Sequence, residues 1–358
     1  MNSDIESINS AASQVADSGA AECDPCLCWN CGCAEFEQLF QACDFDTGLN
    51  SYPIRRCRQC DLCYTGEVTD DELATIYSRS YYGSETAKFL SIIETLVRIG
   101  HRRQAKKILD LYHGQQSRPD ASEQAVSVLD IGCGRALLLQ EFDQLGADCL
   151  GIERVEFPRT GSHKIDIHVG ALDDSELSDR RFDIIILWHV LEHITGLGTL
   201  LEALPRHLNP GGLLVISVPN FLSWQSRFFR QHWFHLDIPR HVAHFEKNWL
   251  EKALASMGLE TVSQTTFTAS QNIFGFIQSS LNKLIARKPN RLYKLLTQSY
   301  GQRDWTALAG WAMLAIPLMP FAVLEALISA ISHRGATLTI YARKRDHDDR
   351  VLADTRGE

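Results

Sequence analysis

The chain has no excess of positive charge: 35 Lys and Arg stand against 44 Asp and Glu, a net charge of −9 with histidine neutral. That balance gives no bulk attraction to nucleic acid and leaves only a local patch as a route to it, so no nucleic-acid partner is expected. The first 21 residues hold no apolar run. Polar and rich in Ser and Ala, they read as a tail (residues 1–22) and not as an export signal, which predicts a cytoplasmic protein. No internal repeat is evident, and 358 residues allow about two domains.

Cysteine, by contrast, is plentiful at 11 residues, and most of it lies between Cys23 and Cys63. In a reducing compartment, short C-x-x-C pairs point to metal binding in preference to disulfides. Two knuckles stand out, CWNCG with Cys28 and Cys31, and RCRQC with Cys57 and Cys60. Two such turns on facing hairpins supply the four soft ligands of tetrahedral zinc, and four thiolates leave no open position, so the zinc would be structural. A zinc ribbon over 23–66 is therefore expected. Cys23 with Cys26 remains an alternative first pair, and Cys63 an additional candidate.

After a helical segment and polar linker over 67–125, the run AVSVLDIGCGRALLL carries an apolar strand into Asp130, turns through Gly132 and Gly134, and enters a helical pattern. Strand, glycine turn and helix is how an open α/β sheet binds a nucleotide-like ligand. A dinucleotide fingerprint would place a third glycine where Leu137 stands, which argues against NAD. Glu153, 19 residues past Gly134, follows a second strand and suits the hydroxyls of a ribose. Apolar runs at 126–131, 148–152, 165–169, 182–187 and 212–218 alternate with helical stretches, and further strands are expected at 259–267 and 336–342. The predicted fold is α/β, a Rossmann-like, doubly wound, mostly parallel seven-stranded sheet over 126–345.

The acidic residue before the turn and the small Ala136 beyond it resemble the first motif of class I S-adenosylmethionine-dependent methyltransferases. RFDIIILWHVLEHI and LNPGGLLVISVPN are similar to the fourth- and fifth-strand motifs of the branch that includes ubiquinone-type O-methyltransferases. With the later DIPRHVAHF, the resemblance extends over most of 23–260. The resemblance implies S-adenosylmethionine as cofactor, with Asp130, Gly132, Gly134, Glu153, Asp173 and Leu187 around it, and a small-molecule, glycan or lipid-linked acceptor. Ala171 occupies the commonest acidic position of the third-strand motif, which leaves Asp173 or a backbone group for the adenine. The Asn/Asp-Pro-Pro-aromatic motif of nucleic-acid amino methyltransferases is missing. A rival reading, with Ala136 and Ala171 as the departures behind it, is an inactive methyltransferase fold that binds partners through the ribbon.

His189, Glu192 and His193 would share one face if a helix starts there. The string HVLEH also matches H-x-x-E-H of some zinc proteases, but those motifs sit on a long active-site helix and not at a strand end. The resemblance implies a second use: a related E-x-x-E-H binds Mg2+ in some methyltransferases of this kind, and His189 in the first place makes the set softer. Roles in acceptor contact, proton transfer or structure stay open for all three. Further on, WFHLDIPRHVAHF offers His235, His241 and His244, with Asp237 and Arg240 fit to pair. His241 is the candidate general base, because imidazole titrates near neutral pH.

Ala307 to Ile331 contains one charged residue, Glu325, in 25 positions, inside an apolar insert at 270–332. Its length would allow a membrane helix, but a strand follows that belongs to the sheet, so a single full span is incompatible with the fold. A re-entrant hairpin, an interfacial helix pair or a packed, dimer-forming insert remains. Upstream, NKLIARKPNRLYK is basic and amphipathic and suits an anionic membrane surface. Peripheral membrane contact through 307–331 at the inner face and a packed or dimer-forming insert both stay open, before a polar tail at 346–358.

Overall fold

The computed structural model describes residues 27–44, 50–76, 91–114, 125–154, 165–286, 289–297 and 304–345. Cys23 and Cys26, both predicted tails and the predicted linker at 115–124 lie outside the described residues.

Strands β1 (Phe36–Cys43), β2 (Ser51–Cys57) and β3 (Cys63–Thr65) form an antiparallel sheet in that order. Helices α1 (Asp70–Ile76) and α2 (Ser91–His113) follow. The α/β unit then runs β4 (Ser127–Ile131), α3 (Leu137–Gln144), β5 (Asp148–Glu153), β6 (Asp166–Val169), β7 (Phe182–Trp188), α4 (Leu197–His207) and β8 (Leu208–Pro219). After α5 (Trp224–Phe229), the two-residue β9 (Ala243–His244) and α6 (Lys247–Ser256) come β10 (Leu259–Thr265), the helices α7 (Ala269–Leu284), α8 (Arg291–Thr297), α9 (Trp305–Ala315) and α10 (Met319–Ile331), and β11 (Thr337–Lys344).

The large sheet has seven strands in the order β10-β11-β8-β7-β4-β5-β6. β4 to β8 are mutually parallel, and β11 is antiparallel to both its neighbours. The expected Rossmann-like sheet is thus present. Central strands of a parallel sheet are covered on both faces, which is why Ile184, Ile185 and Ile186 are all apolar and all fully buried. One face carries α2 and α3, through Ile108, Leu139 and Phe142; the other carries α4 and α6, through Leu204 and Leu250. Within the predicted helical segment, α2 is therefore a wall of this core: Gln104 donates to Tyr341 Oη of β11 at 2.7 Å.

The small sheet is no separate bead. β9, from the loop after β8, pairs with β3 as its fourth strand. Trp29, Ile54 and Tyr64 pack in one continuous core with Leu187, Ile216 and Phe245.

Candidate active site

Strand order reverses at β4, which lies between β5 and β7, and the crevice beyond the carboxyl ends of such strands is where open α/β sheets hold ligands. There β4 leads into the turn 132–136, with Gly132 at φ +70° and Gly134 at φ +51°. Gly132 donates to Ile152 O at 2.8 Å, and a Cβ on it would stand 2.5 Å from Val190 Cγ2, so glycine is needed where the turn meets the loop after β7. A Cβ on Gly134 would meet no protein atom within 4 Å, so this glycine faces open space. Ala136, also at positive φ (+53°), ends the turn and starts α3.

Glu153, at the end of β5, reaches across to this turn. Its Oε2 accepts from Gly134 N at 2.9 Å and its Oε1 from Arg154 N at 3.0 Å. Asp130 is buried, and its Oδ1 has no hydrogen-bond partner among the described residues. Burial, with the Glu153 carboxylate as a lesser cause, pushes Asp130 up to about 8. An orphaned buried carboxyl beside an open glycine turn is the donor set a polar, hydroxyl-bearing ligand would complete. Two other expected cofactor residues are placed less favourably. Leu187 is fully buried in the core, which leaves only its backbone for a ligand. Asp173 is exposed, whereas its neighbour Asp174 holds the turn after β6, accepting from Ala171 N at 2.9 Å with His168 Nε2 at 2.7 Å.

The loop after β7 carries the second half of the site. His189 takes the left-handed region at φ +55°, and a single 3-10 turn, Leu191–His193, replaces the helix start expected there. Glu192 is buried, with Oε1 3.2 Å from His189 Nδ1 and Oε2 unpartnered among the described residues. Burial alone would raise its carboxyl; the hydrogen bond from His189 and the imidazoles of His189, His193 and His241 outweigh it and hold the group at about 2. His193 and His241 come together edge to face, ring centroids 4.6 Å apart. The Nδ1 of His193 lies 3.0 Å from Arg240 O, and that of His241 2.9 Å from His235 O. With both Nδ1 atoms donating to carbonyls, the lone pair of each neutral ring lies on Nε2. Ligand atoms of Glu192, His193 and His241 all lie within 4.8 Å of one another. Two imidazoles and a carboxylate, oriented by backbone carbonyls, are a donor set suited to a divalent transition-metal ion.

His241 as a free general base fares less well than its residue type suggested. Burial, with His193 beside it, pushes its imidazole down to about 4. His189 is the more open of the two: its side chain is 22% exposed, and its Nε2 has no partner among the described residues. Asp237 and Arg240 form the expected ion pair, Arg240 Nε donating to Asp237 Oδ2 at 2.9 Å.

The small sheet and its cysteine knuckles buttress this loop, a contact that sequence reading missed. Thr65 Oγ1 donates to His241 O at 2.7 Å and lies 2.9 Å from His244 Nε2, and Trp29 Nε1 donates to Thr65 O at 3.1 Å. Beside Trp29, the Sγ atoms of Cys28 and Cys60 are 3.6 Å apart and those of Cys31 and Cys57 3.5 Å. Four thiolates about 2.3 Å from one zinc would sit about 3.8 Å from each other, so the quartet has the size of a zinc site. Each knuckle turns on a residue at positive φ just after its second cysteine, Gly32 (+67°) and Asp61 (+62°). Crowding shows in the thiols. The hydrogen bond from the Cys28 thiol lowers Cys60 to about 5, and the same contact raises Cys28. Cys63 stands apart, with Sγ 3.8 Å from Glu246.

Residues 92–264 match the family model described as a methyltransferase domain. The ubiquinone biosynthesis O-methyltransferase of Bradyrhizobium sp. (strain ORS 278) is 34% identical over 107 residues, 28% of this chain and 42% of that protein. That of Chelativorans sp. (strain BNC1) is 28% identical over 172 residues, 43% of this chain and 66% of that protein. The chain thus spans about half the length of the curated relatives it matches. Among solved structures, an S-adenosylmethionine-dependent methyltransferase from Archaeoglobus fulgidus superposes with a TM-score of 0.42 at 19% identity, over 69% of this chain and 94% of the other. A 1,6-didemethyltoxoflavin-N1-methyltransferase from Burkholderia thailandensis gives a TM-score of 0.42 at 14% identity, over 85% and 100%. Over 92–264, then, the chain is similar to a methyltransferase domain.

Proposed function

We propose that this chain transfers a methyl group from S-adenosylmethionine to a small-molecule, glycan or lipid-linked acceptor. The observation that carries the reading is the bond from Gly134 N to Glu153, which holds a carboxylate over an open turn at the reversal point of the sheet. When bound, the cofactor supplies an activated methyl group, so the protein's task is alignment and proton management. Glu153 would take the ribose, the turn at 132–134 would let the cofactor approach the backbone, and Asp130 would meet its remaining polar groups. Asp173 and the backbone at Leu187 stay secondary candidates for the adenine side.

On the acceptor side stand His189, Glu192, His193 and His241. Glu192, ionised at any physiological pH, orients His189, whose Nε2 would take a proton from the acceptor. The trio Glu192, His193 and His241 fits a divalent cation, which when bound would make an acceptor hydroxyl easier to deprotonate. The quartet of Cys28, Cys31, Cys57 and Cys60 would hold structural zinc. A cytoplasmic protein resting on the inner face of a membrane completes the reading.

Calorimetric titration with S-adenosylhomocysteine tests it, beside Glu153→Ala. Micromolar binding, weakened about thirtyfold by loss of a charged hydrogen-bond acceptor worth about 2 kcal/mol, is expected. A folded wild-type protein that binds none would overturn the catalytic reading.

A further inference from the structure

Inside the insert α7–α10, the apolar side chains Ile277, Leu281, Leu292, Leu295 and Leu308 of α7, α8 and α9 pack together with Ala322 of α10. α10 turns small residues inward, Ala322, Ala326 and Ser329. Outward it presents Phe321, Leu324, Leu327 and Ile331, each between 54% and 82% exposed, with Met313 (73%) of α9 and Ile316 (67%) just after it also exposed. A helix facing water shows the opposite pattern. Small and polar residues between helices, with large apolar ones outside, is how helices pack when lipid surrounds them.

On another side α7 buries Asn272, Gln278, Ser279 and Asn282 in a bonded polar network. Gln278 Nε2 donates to Asn282 Oδ1 at 2.8 Å, and Asn282 Nδ2 to Asn290 Oδ1 at 3.0 Å. Gln225 Nε2 donates to Glu325 Oε2 at 2.8 Å, which draws inward the sole charged side chain of 305–331. The insert and its flanking segments carry several basic side chains, with Asp304 as the acid at the start of α9, although the whole chain is at −9. Lys283 Nζ sits 4.3 Å over the ring of Phe228, itself 66% exposed, beside the exposed Arg227, with Arg291 and Lys294 on α8 and Arg334 after α10.

We propose that the apolar face of α9 and α10 seats in the headgroup–acyl boundary of an anionic lipid bilayer, with Lys283, Arg227 and Arg334 at its rim. A second copy of the chain is disfavoured as occupant, because a two-fold contact would set one basic rim against the other. The proposal rests on the peripheral, lipid-linked reading above and gives it an orientation. α7 packs against α10 and also touches the histidine loop, where His235 Nε2 approaches Gln271 O at 3.1 Å and Phe234 N donates to Ser279 Oγ at 2.8 Å. A lipid-linked acceptor would therefore enter from the bilayer side.

The test is flotation of the full chain with vesicles of phosphatidylcholine alone or mixed with phosphatidylglycerol. Co-flotation with the anionic vesicles is expected, falling about tenfold in Phe321→Glu/Ile331→Glu through lost apolar insertion. A drop of about fivefold is expected in Lys283→Ala, and a further loss in high salt. These exposed variants keep wild-type binding of S-adenosylhomocysteine. A wild-type chain that stays at the bottom of the gradient with anionic vesicles would overturn the proposal. So would a stable dimer in sedimentation that Phe321→Glu/Ile331→Glu converts to monomer. Flotation without S-adenosylhomocysteine binding would strike the methyl-transfer reading alone.

Discussion

Gly132 and Gly134 share the left-handed conformation but face different neighbours, and alanine at each should separate folding from binding. Alanine at Gly132 places a methyl group 2.5 Å from Val190 in a strained conformation. A stability loss of about 2–4 kcal/mol is expected by thermal melting. Alanine at Gly134 touches no protein atom. Its cost of about 1 kcal/mol in backbone strain should be minor beside a weakened titration with S-adenosylhomocysteine. Three buried imidazoles give a second prediction. Burial lowers His235 to about 4, His241 to about 4 and His244 to about 3. Between pH 6.5 and about 4 the unfolded chain binds protons that the folded chain refuses, so stability is full above 6.5 and falls as pH drops. The slope approaches about 1.4 kcal/mol per pH unit for each group, and a melting temperature flat from pH 7 to 5 would refute it. Spacing made Glu153 legible, because strand, turn and strand lengths fix where the second carboxylate falls. It left Asp173 or a backbone group for the adenine, and passed over the adjacent Asp174, which meets His168.

Among the elements, β9 has the largest effect for its length. Two residues join the small sheet to the loop that carries His241, and Thr65 secures the joint with two side-chain contacts. Thr65→Val keeps the shape and leaves His241 O and His244 Nε2 without that partner. A loss of about 1–3 kcal/mol is expected, together with lower affinity of the loop for any divalent ion, measurable by titration with Mn2+ or Co2+. Parallel strands were easy to read from their unbroken apolar runs, and the seven predicted strands recur with boundaries shifted by a few residues. The loop after β7 was harder. HVLEH has helical spacing, yet Trp188 still belongs to β7 and His189 reverses the chain, so Glu192 points inward instead of along a helix face. β9 was beyond sequence reading, because a two-residue strand has no periodicity and its partner is remote.

On the scale of the molecule, the cysteine quartet belongs to the same packed interior as the sheet. Zinc removal should therefore do more than loosen a ribbon. Cys57→Ser, or prolonged chelation, is expected to leave the protein with less than about half an equivalent of zinc and to abolish S-adenosylhomocysteine binding along with the folded core. A ribbon acting only as an appendage would lose its metal and leave that binding intact. The joint has one more consequence, in time. Thr65 waits for a partner 179 residues further along, so while the chain is being made the edge of β3 stands open. At ordinary elongation rates that interval is roughly ten to forty seconds, during which the newborn knuckle is a template for any stray strand. The basic and polar side chains along β2, and metal captured early by the four thiols, are what this nascent chain has to guard itself until its own closing strand arrives.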